Sequence, residues 1–120
     1  MSCLFDSLSK SVNLDSKLLR KAIMTYISTN PSLIDGVKAS EIIDWEKGIN
    51  LNSYVNKMSR NNEWGGQIEI KAFCDLFNMD VTVHVLYTNK EFVTNSCNKA
   101  THNVHITYNG SHFEFLKCEK

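Results

Sequence analysis

Cys3 and His112 are the two side chains whose types could form a nucleophile and its base. Thiol-based acyl transfer needs a thiolate, a nearby imidazole that accepts the thiol proton, and usually a third group that orients the imidazole. Cys3 lies where a helix is predicted to begin, and unpaired N–H groups at a helix start stabilise a thiolate. His112 follows the Asn109-Gly110 turn at the start of a predicted strand. On chemistry alone, an ordinary cysteine and a solvated histidine are the commoner interpretation of this pair.

The third group of such a site is predicted from the alternation of strand side chains. His112 and Glu114 are two residues apart, so they share one face of the strand. Glu114 is therefore predicted to accept a hydrogen bond from the His112 ring, which would fix the tautomer of the imidazole. Phe113 and Phe115 are predicted to point the opposite way, into the core.

The other cysteines predict no second nucleophile. Cys74 falls among apolar neighbours of a predicted helix, so a buried, inert thiol is expected. A zinc site is an alternative, because zinc accepts the ligand types found at Cys97, His102, His105 and Cys118. Their spacing lacks the paired Cys-x2-Cys knuckle, and an exposed strand position explains His105 without a metal. We therefore predict neither a metal nor a cofactor.

Helical periodicity runs through the first two thirds of the chain. Helices are predicted from near Cys3, from a cap at Asp15 or Ser16 to Asn30-Pro31, around 42–45, over 52–59 and over 67–77. A polar segment, 60–63, and then Trp64-Gly65-Gly66 separate the last two helices, because adjacent glycines interrupt regular structure.

The last third of the chain changes to the period of strands. Strands are predicted over 81–87, 91–94, 104–108 and 112–116, and Asn109-Gly110-Ser111 joins the last two as a tight hairpin. Helices come first and antiparallel strands last. This order indicates an α+β domain with helices packed on a small, mainly antiparallel sheet.

The composition of the 120-residue chain disfavours several classes of function. Thirteen basic residues balance thirteen acidic ones, so no strong positive field favours nucleic acid or an anionic membrane as a partner. No apolar run approaches the ~20 residues of a membrane span, and 1–10 does not resemble a secretory signal. We expect one domain over 1–120, a monomer, and a cytoplasmic location with reduced thiols.

Three segments and one strand, in order, resemble those of the ovarian tumour (OTU) cysteine proteases. Residues 3–8 resemble the nucleophile segment, and 63–72 resemble the Trp-Gly-Gly segment that opens a helix. The strand 81–85 resembles the one that follows, and 108–114 resemble the histidine segment, where an aromatic residue follows the His. Together these segments span nearly the whole chain, and a plain structural domain would require their order to be a coincidence.

The resemblance implies a papain-like OTU core and a deubiquitinating cysteine protease. His112 would take the Cys3 proton, and the thiolate would attack the carbonyl of the C-terminal glycine of ubiquitin. Backbone N–H groups around Cys3 would form the oxyanion hole. Because the ubiquitin tail ends in two glycines, a narrow channel is implied, with Trp64, Gly65 and Gly66 as candidate wall residues. Core packing is the alternative for Trp64.

The chain departs from the family pattern before Cys3. Many members carry Asp-Gly-x there, and that Asp can serve as the third catalytic residue, but only Met1 and Ser2 precede Cys3. Either the natural chain extends before Met1, or the protein works without that loop. The third role then falls to Glu114 first, to Asn109 second, or to no residue. Asn109 is also a candidate for substrate contact.

Alternatives to cleavage of ubiquitin conjugates remain open at this point. The same fold could hold ubiquitin without cutting it, as a catalytically impaired binding module. Compact OTU proteases also act on ubiquitin-like tags or on viral polyproteins. The short chain and its richness in Asn and Lys favour a viral or intracellular-parasite source, which would place the protein in the host cytosol.

Overall fold

The computed structural model describes residues 3–60 and 63–120. Within these residues lie the helices α1 (Cys3–Ser9), α2 (Ser16–Ser28), α3 (Ala39–Lys47), α4 (Leu51–Met58) and α5 (Gln67–Phe77). The strands are β1 (Ser32–Ile34), β2 (Val37–Lys38), β3 (Met79–Val85), β4 (Lys90–Thr94), β5 (His102–Tyr108) and β6 (Phe113–Glu119). The predicted polar segment 60–63 falls partly outside the described residues.

Short polar side chains set the helix boundaries. The Leu18 N–H donates to Asp15 Oδ1 over 2.8 Å at the start of α2, which confirms Asp15 as the cap. Asn50 caps α4 in the same way, through the Ser53 N–H. After α2 the chain turns at Asn30, whose φ of 59° lies in the left-handed region. In the described part of the chain, no helix has the length and apolar character needed to cross a bilayer.

The main sheet has the order β4-β3-β5-β6. Strand β3 is antiparallel to β4, and β5 is antiparallel to β6, so the prediction of a mainly antiparallel sheet is confirmed. The central pair, β3 and β5, is parallel. This arrangement arises because β4 occupies one edge of β3, and the following loop carries the chain across to the other edge. A small hairpin, β1-β2, was not predicted.

The core lies between one face of the sheet and the helices. Helix α1 packs on β5 and β6, while α5 packs on β3 and β4. The buried apolar residues that share this core include Leu4, Phe5, Leu8, Ile23, Phe73, Val81, Val83, Val104 and Ile106. Alternate residues of the central strands, among them His84 and His105, face away from it. The α+β prediction is therefore confirmed.

The last strand differs in detail from the prediction. Strand β6 begins at Phe113, directly after His112. Its partners in β5 skip Leu116, because Ile106 pairs with Phe115 and the preceding residue pairs with Lys117. This extra residue forms a bulge on an edge strand. Phe113 and Phe115 pair with Tyr108 and Ile106, so both lie on the core face as predicted. Phe113 is partly buried against the core, but Phe115 remains 37% exposed, so its predicted burial is wrong.

Candidate active site

Cys3 is the first residue of α1 and is half-buried. The Ser7 hydroxyl donates to the Cys3 carbonyl oxygen over 2.7 Å within the same helix. Leu4, Phe5 and Leu8 are buried and fix α1 on the sheet. Since α1 packs against β6, the element that begins with the thiol lies on the strand that follows His112.

The hairpin between β5 and β6 fixes the backbone of His112. Asn109 Oδ1 accepts hydrogen bonds from the N–H groups of Ser111, at 3.0 Å, and of His112, at 2.8 Å. The Asn109 N–H in turn donates to the His112 carbonyl oxygen over 3.1 Å. Gly110 has a φ of 102°, which glycine adopts without strain. The amide oxygen of Asn109 therefore holds the turn that presents His112.

Glu114 lies on the strand face predicted for it, without the predicted contact. It pairs with Thr107, while Phe113 packs on Tyr108 on the opposite face with 4.6 Å between ring centroids. Within residues 3–60 and 63–120, no hydrogen bond joins the His112 ring to Glu114. A catalytic role for Cys3, His112 and Glu114 stays a prediction at this point.

The Trp-Gly-Gly segment contacts the helix that begins with Cys3. A Cβ at Gly65 would lie 2.8 Å from Leu4 Cδ2 and 3.0 Å from Phe5 Cε2, so this position has no room for a side chain. At Gly66, no atom beyond the two neighbouring residues lies within 4 Å of the position that a Cβ would occupy. Trp64 is 56% exposed, so the alternative of core packing is wrong for this residue.

Two grooves meet at Gly66 and Gln67, and each is named here by the elements beside it. The sheet-side groove, of about 450 Å³, runs between these residues, the β3-β4 turn, and Tyr108 with Phe113 of the hairpin. The helix-side groove, of about 590 Å³, runs between the same residues and helices α3 and α4. The start of α5 is therefore a wall common to both grooves.

Arg20 is a buried cation that the sequence analysis missed. Its guanidinium is 1% exposed and donates to the Met58 carbonyl oxygen at 2.7 Å and to the Glu63 carbonyl oxygen at 2.6 Å. Its Cζ also lies 4.2 Å from the centroid of the Phe5 ring. Burial lowers the pKa of Arg20, and the nearby Glu69 carboxylate opposes that effect. The sequence signal that could have predicted this burial is the position of Arg20 beside the apolar stripe of α2.

Glu69 is a buried carboxyl group at the start of α5, 2% exposed. Its Oε1 accepts the Gly66 N–H at 2.7 Å, and its Oε2 accepts the Tyr54 hydroxyl. Burial raises the pKa of Glu69, and these hydrogen bonds act in the opposite direction. An acidic residue three positions after a helix cap was the signal that could have predicted the bond to Gly66.

A second group of ionisable side chains lies on the opposite face of the sheet. His84 Nε2 and His105 Nδ1 are 2.8 Å apart. His84 Nδ1 lies 3.3 Å from Glu91 Oε1, and His105 Nε2 lies 2.5 Å from Glu119 Oε1. The His105 side chain is only 12% exposed. Packing against these partners, and not solvation, therefore explains the presence of a histidine at this strand position. We call these residues the outer histidine chain.

The four candidate zinc ligands do not converge. Cys118 pairs with Val104 on the core side of the sheet, whereas His105 faces the other side. The Cys97 N–H binds Asp75 at the edge of α5. Among the described residues, no three His, Cys, Asp or Glu side chains are grouped to hold a metal ion.

Cys74 has the environment that its sequence context predicts. It is fully buried, and burial raises the pKa of its thiol to about 12. A thiol that retains its proton in this way is a poor nucleophile. The prediction of an inert Cys74 agrees with this environment.

Comparisons with known proteins identify one family. The family model of the OTU-like cysteine proteases matches residues 2–114. The ubiquitin thioesterase otu2 of Schizosaccharomyces pombe is 30% identical over 95 residues, which are 72% of this chain and 30% of that protein. The chain therefore spans about a third of the length of this curated relative.

Solved structures support the same assignment at the level of the fold. An OTU domain in complex with ubiquitin has a TM-score of 0.79 at 23% identity, over 98% of this chain and 64% of that chain. An OTU deubiquitinase of Wolbachia pipientis wMel, bound to ubiquitin, has a TM-score of 0.65 at 19% identity, over 97% and 89%. The family match and the shared fold together show that this chain belongs to the OTU-like cysteine proteases.

Proposed function

We propose that this protein is a deubiquitinase that hydrolyses the bond after the C-terminal glycine of ubiquitin. Cys3 is the nucleophile and His112 is the general base. Ubiquitin-like modifiers whose tails end in two glycines would fit the same narrow channel. The proposal rests on membership of the OTU-like cysteine proteases and on the geometry of the two elements that carry these residues.

The observation that carries the proposal is the packing of α1 on β6. Helix α1 begins at Cys3, and β6 begins directly after His112, so this packing joins the two elements although 109 positions of sequence separate the residues. The hairpin bonds of Asn109 fix the backbone on the histidine side. The close contact of Gly65 with Leu4 fixes α1 on the other side.

The sheet-side groove is the proposed channel for the substrate tail. Gly66 forms part of its wall without a side chain, and Tyr108 and Phe113 flank the hairpin that presents His112. A tail that ends in two glycines could lie against Gly66, where no protein atom occupies the space of a Cβ. Larger side chains near the scissile bond would be excluded between this wall and the aromatic rings.

The proposed reaction proceeds through a thioester. His112 accepts the Cys3 proton, and the sulfur attacks the carbonyl carbon of the terminal glycine. The tetrahedral intermediate expels the lysine amine, which takes the proton from His112. Water, deprotonated by His112, then attacks the thioester, and Cys3 is released together with the ubiquitin carboxylate. Glu114 would orient the imidazole in this cycle, although the ring and the carboxylate are not hydrogen-bonded in this structure.

A covalent probe tests the proposal directly. The protein should react with ubiquitin carrying a C-terminal electrophile, and peptide mapping should place the adduct on Cys3. Cys3→Ala should abolish labelling, and His112→Ala should slow it by about a hundredfold or more, the usual contribution of a general base. Cys97→Ala, at an exposed residue, and His102→Ala, at a partly buried one, are matched controls and should label at the parental rate.

Binding measured beside labelling separates cleavage from mere recognition. A parent protein that binds ubiquitin but never forms the adduct would be a binding module, and the proposed hydrolase would be wrong. An adduct on Cys97 or Cys118 with Cys3 unmodified would likewise reject the assigned nucleophile.

A further inference from the structure

We propose that Glu69, together with Tyr54, is a positioning residue that controls binding of the substrate tail by fixing Gly66 as the common wall of the two grooves. This inference rests on the proposed function. It assigns a role to a buried pair that forms no hydrogen bond with Cys3 or His112 and that we give no direct part in the bond-breaking steps.

The segment from Glu63 to Gly66 is held at both of its ends. At the first end, Arg20 donates to the Glu63 carbonyl oxygen over 2.6 Å. At the second end, Glu69 Oε1 accepts the Gly66 N–H over 2.7 Å. Between them, Gly65 is pressed against the side chains of α1. Three separate contacts therefore determine where this short piece of backbone lies.

The second hydrogen bond of Glu69 fixes the direction of the first. The Tyr54 hydroxyl donates to Oε2, so both carboxylate oxygens have a partner and the group cannot rotate freely. Tyr54 is itself buried, on α4, which the Arg20 bond to the Met58 carbonyl also ties to the segment. A polar network whose members are satisfied in this way makes its surroundings rigid.

Stability alone does not explain a carboxylate at this position. An acidic residue at the third helical position can accept the cap N–H while it remains exposed, without the cost of desolvation. Glu69 is 2% exposed, so folding does include the cost of desolvating this carboxylate. The same carboxylate fixes the position of Gly66 through its hydrogen bond. Gly66 lines both grooves, which makes its orientation important for whatever occupies them.

The consequence is a specific kinetic effect. If the Gly66 N–H loses its fixed acceptor, the wall of the sheet-side groove becomes mobile and the substrate tail binds more weakly. The thiol and the imidazole keep their own supports, which are the α1 packing and the Asn109 bonds. We therefore expect a rise in KM, with kcat nearly unchanged.

The test uses two variants of the full chain, Glu69→Leu and Tyr54→Phe. Glu69→Leu removes the acceptor of the Gly66 N–H at nearly the same side-chain size. Tyr54→Phe removes a single hydroxyl and keeps the ring, so it remains informative if the first variant folds poorly. For either variant, kcat/KM for a ubiquitin C-terminal fluorogenic substrate should fall about tenfold, mostly through KM, as expected for loss of a hydrogen bond to a charged group. Glu41→Leu, at an exposed glutamate of α3 that lines neither groove, is the matched control and should match the parent.

A second readout separates positioning from general damage. The rate at which iodoacetamide alkylates Cys3, followed by mass spectrometry, should be the same in the parent and in both variants. Equal slowing of alkylation and of ubiquitin cleavage would overturn the inference, because the effect would then lie at the thiol. If the parent is active, the variants fold and KM is unchanged, the inference is overturned while the proposed function stands. An inactive parent would reject the proposed function as well.

Discussion

Each face of the sheet carries a cluster of ionisable side chains, and the two clusters differ in what they bind. On the helix side, Arg20 and Glu69 are almost fully buried and bind backbone atoms of the segment 63–66. On the other side, the outer histidine chain joins side chains of neighbouring strands to one another. Charged side chains that bind backbone atoms determine the course of the chain, whereas side chains that bind only each other cover a face already formed.

The difference in burial gives the two clusters different energetic weight. Arg20 is surrounded by protein. Without its guanidinium, the carbonyl oxygens that it binds would lose their donors, and no water would replace the lost hydrogen bonds. The glutamates of the outer histidine chain are exposed, so water and salt screen their contacts. Substitutions in the two clusters should therefore differ in their effect on both stability and activity.

The largest effect is expected for Arg20→Met. This change keeps the packing volume but removes the donors to Met58 and Glu63, which should lower the free energy of unfolding by about 3 kcal/mol. Urea denaturation followed by tryptophan fluorescence measures this loss. Arg60→Met, at the other arginine of the chain, is the matched control and should change stability little. Equal losses in the two variants would contradict the importance given to the inner cluster.

A pH-dependent effect is expected for Glu69. Burial raises the pKa of this carboxyl group, so the folded chain retains the proton to a higher pH than the unfolded chain does. The stability linked to that proton is present below the unfolded pKa and is lost as the pH rises through the raised pKa.

Glu69→Gln removes this linkage because an amide does not titrate. The free energy of unfolding of the variant should therefore fall less than that of the parent as the pH rises above the usual carboxyl range. Urea denaturation at a series of pH values measures the difference, and Glu46→Gln should follow the parent. Parallel curves for the parent and Glu69→Gln would show that the folded and unfolded chains bind this proton equally.

The smallest effect is expected for His105→Gln in the outer histidine chain. The amide can still reach one neighbour, and the exposed Glu119 regains water, so stability should change by less than about 1 kcal/mol. The kcat/KM for a ubiquitin substrate should equal that of the parent. His102→Gln is the control on the same strand. A clear loss of activity in His105→Gln alone would remove the distinction between the two faces.

Much of the fold could be predicted from local patterns. The Asp15 cap, the helix over Gln67–Phe77 and the tight hairpin after Tyr108 depend on residues that are close in sequence, and the structure confirms each of them. The parallel pairing of β3 with β5 could not be predicted in this way. Side chains alternate with the same period in parallel and antiparallel pairs, so the pattern does not contain the direction of the neighbour.

The candidate site shows the same division. The types and order of Cys3, the Trp-Gly-Gly segment and His112 indicated the chemistry, and the family match agrees with that order. The exposure of Trp64 and the close contact at Gly65 depend on how α1 lies against the segment, which no local pattern encodes. The bond predicted between His112 and Glu114, two described residues, assumed that both lie on one strand, whereas β6 begins only after His112 and no such bond forms.

The sequence by itself determined roughly where the helices lie, which residue types could act as nucleophile and base, and which family the chain resembles. Each of these depends on neighbours along the chain or on an ordered set of short motifs. Only the tertiary structure decided that Arg20 and Glu69 are buried and that both of them hold the segment 63–66. A charged residue is normally solvated, and its burial becomes visible only when partners from distant parts of the chain surround it.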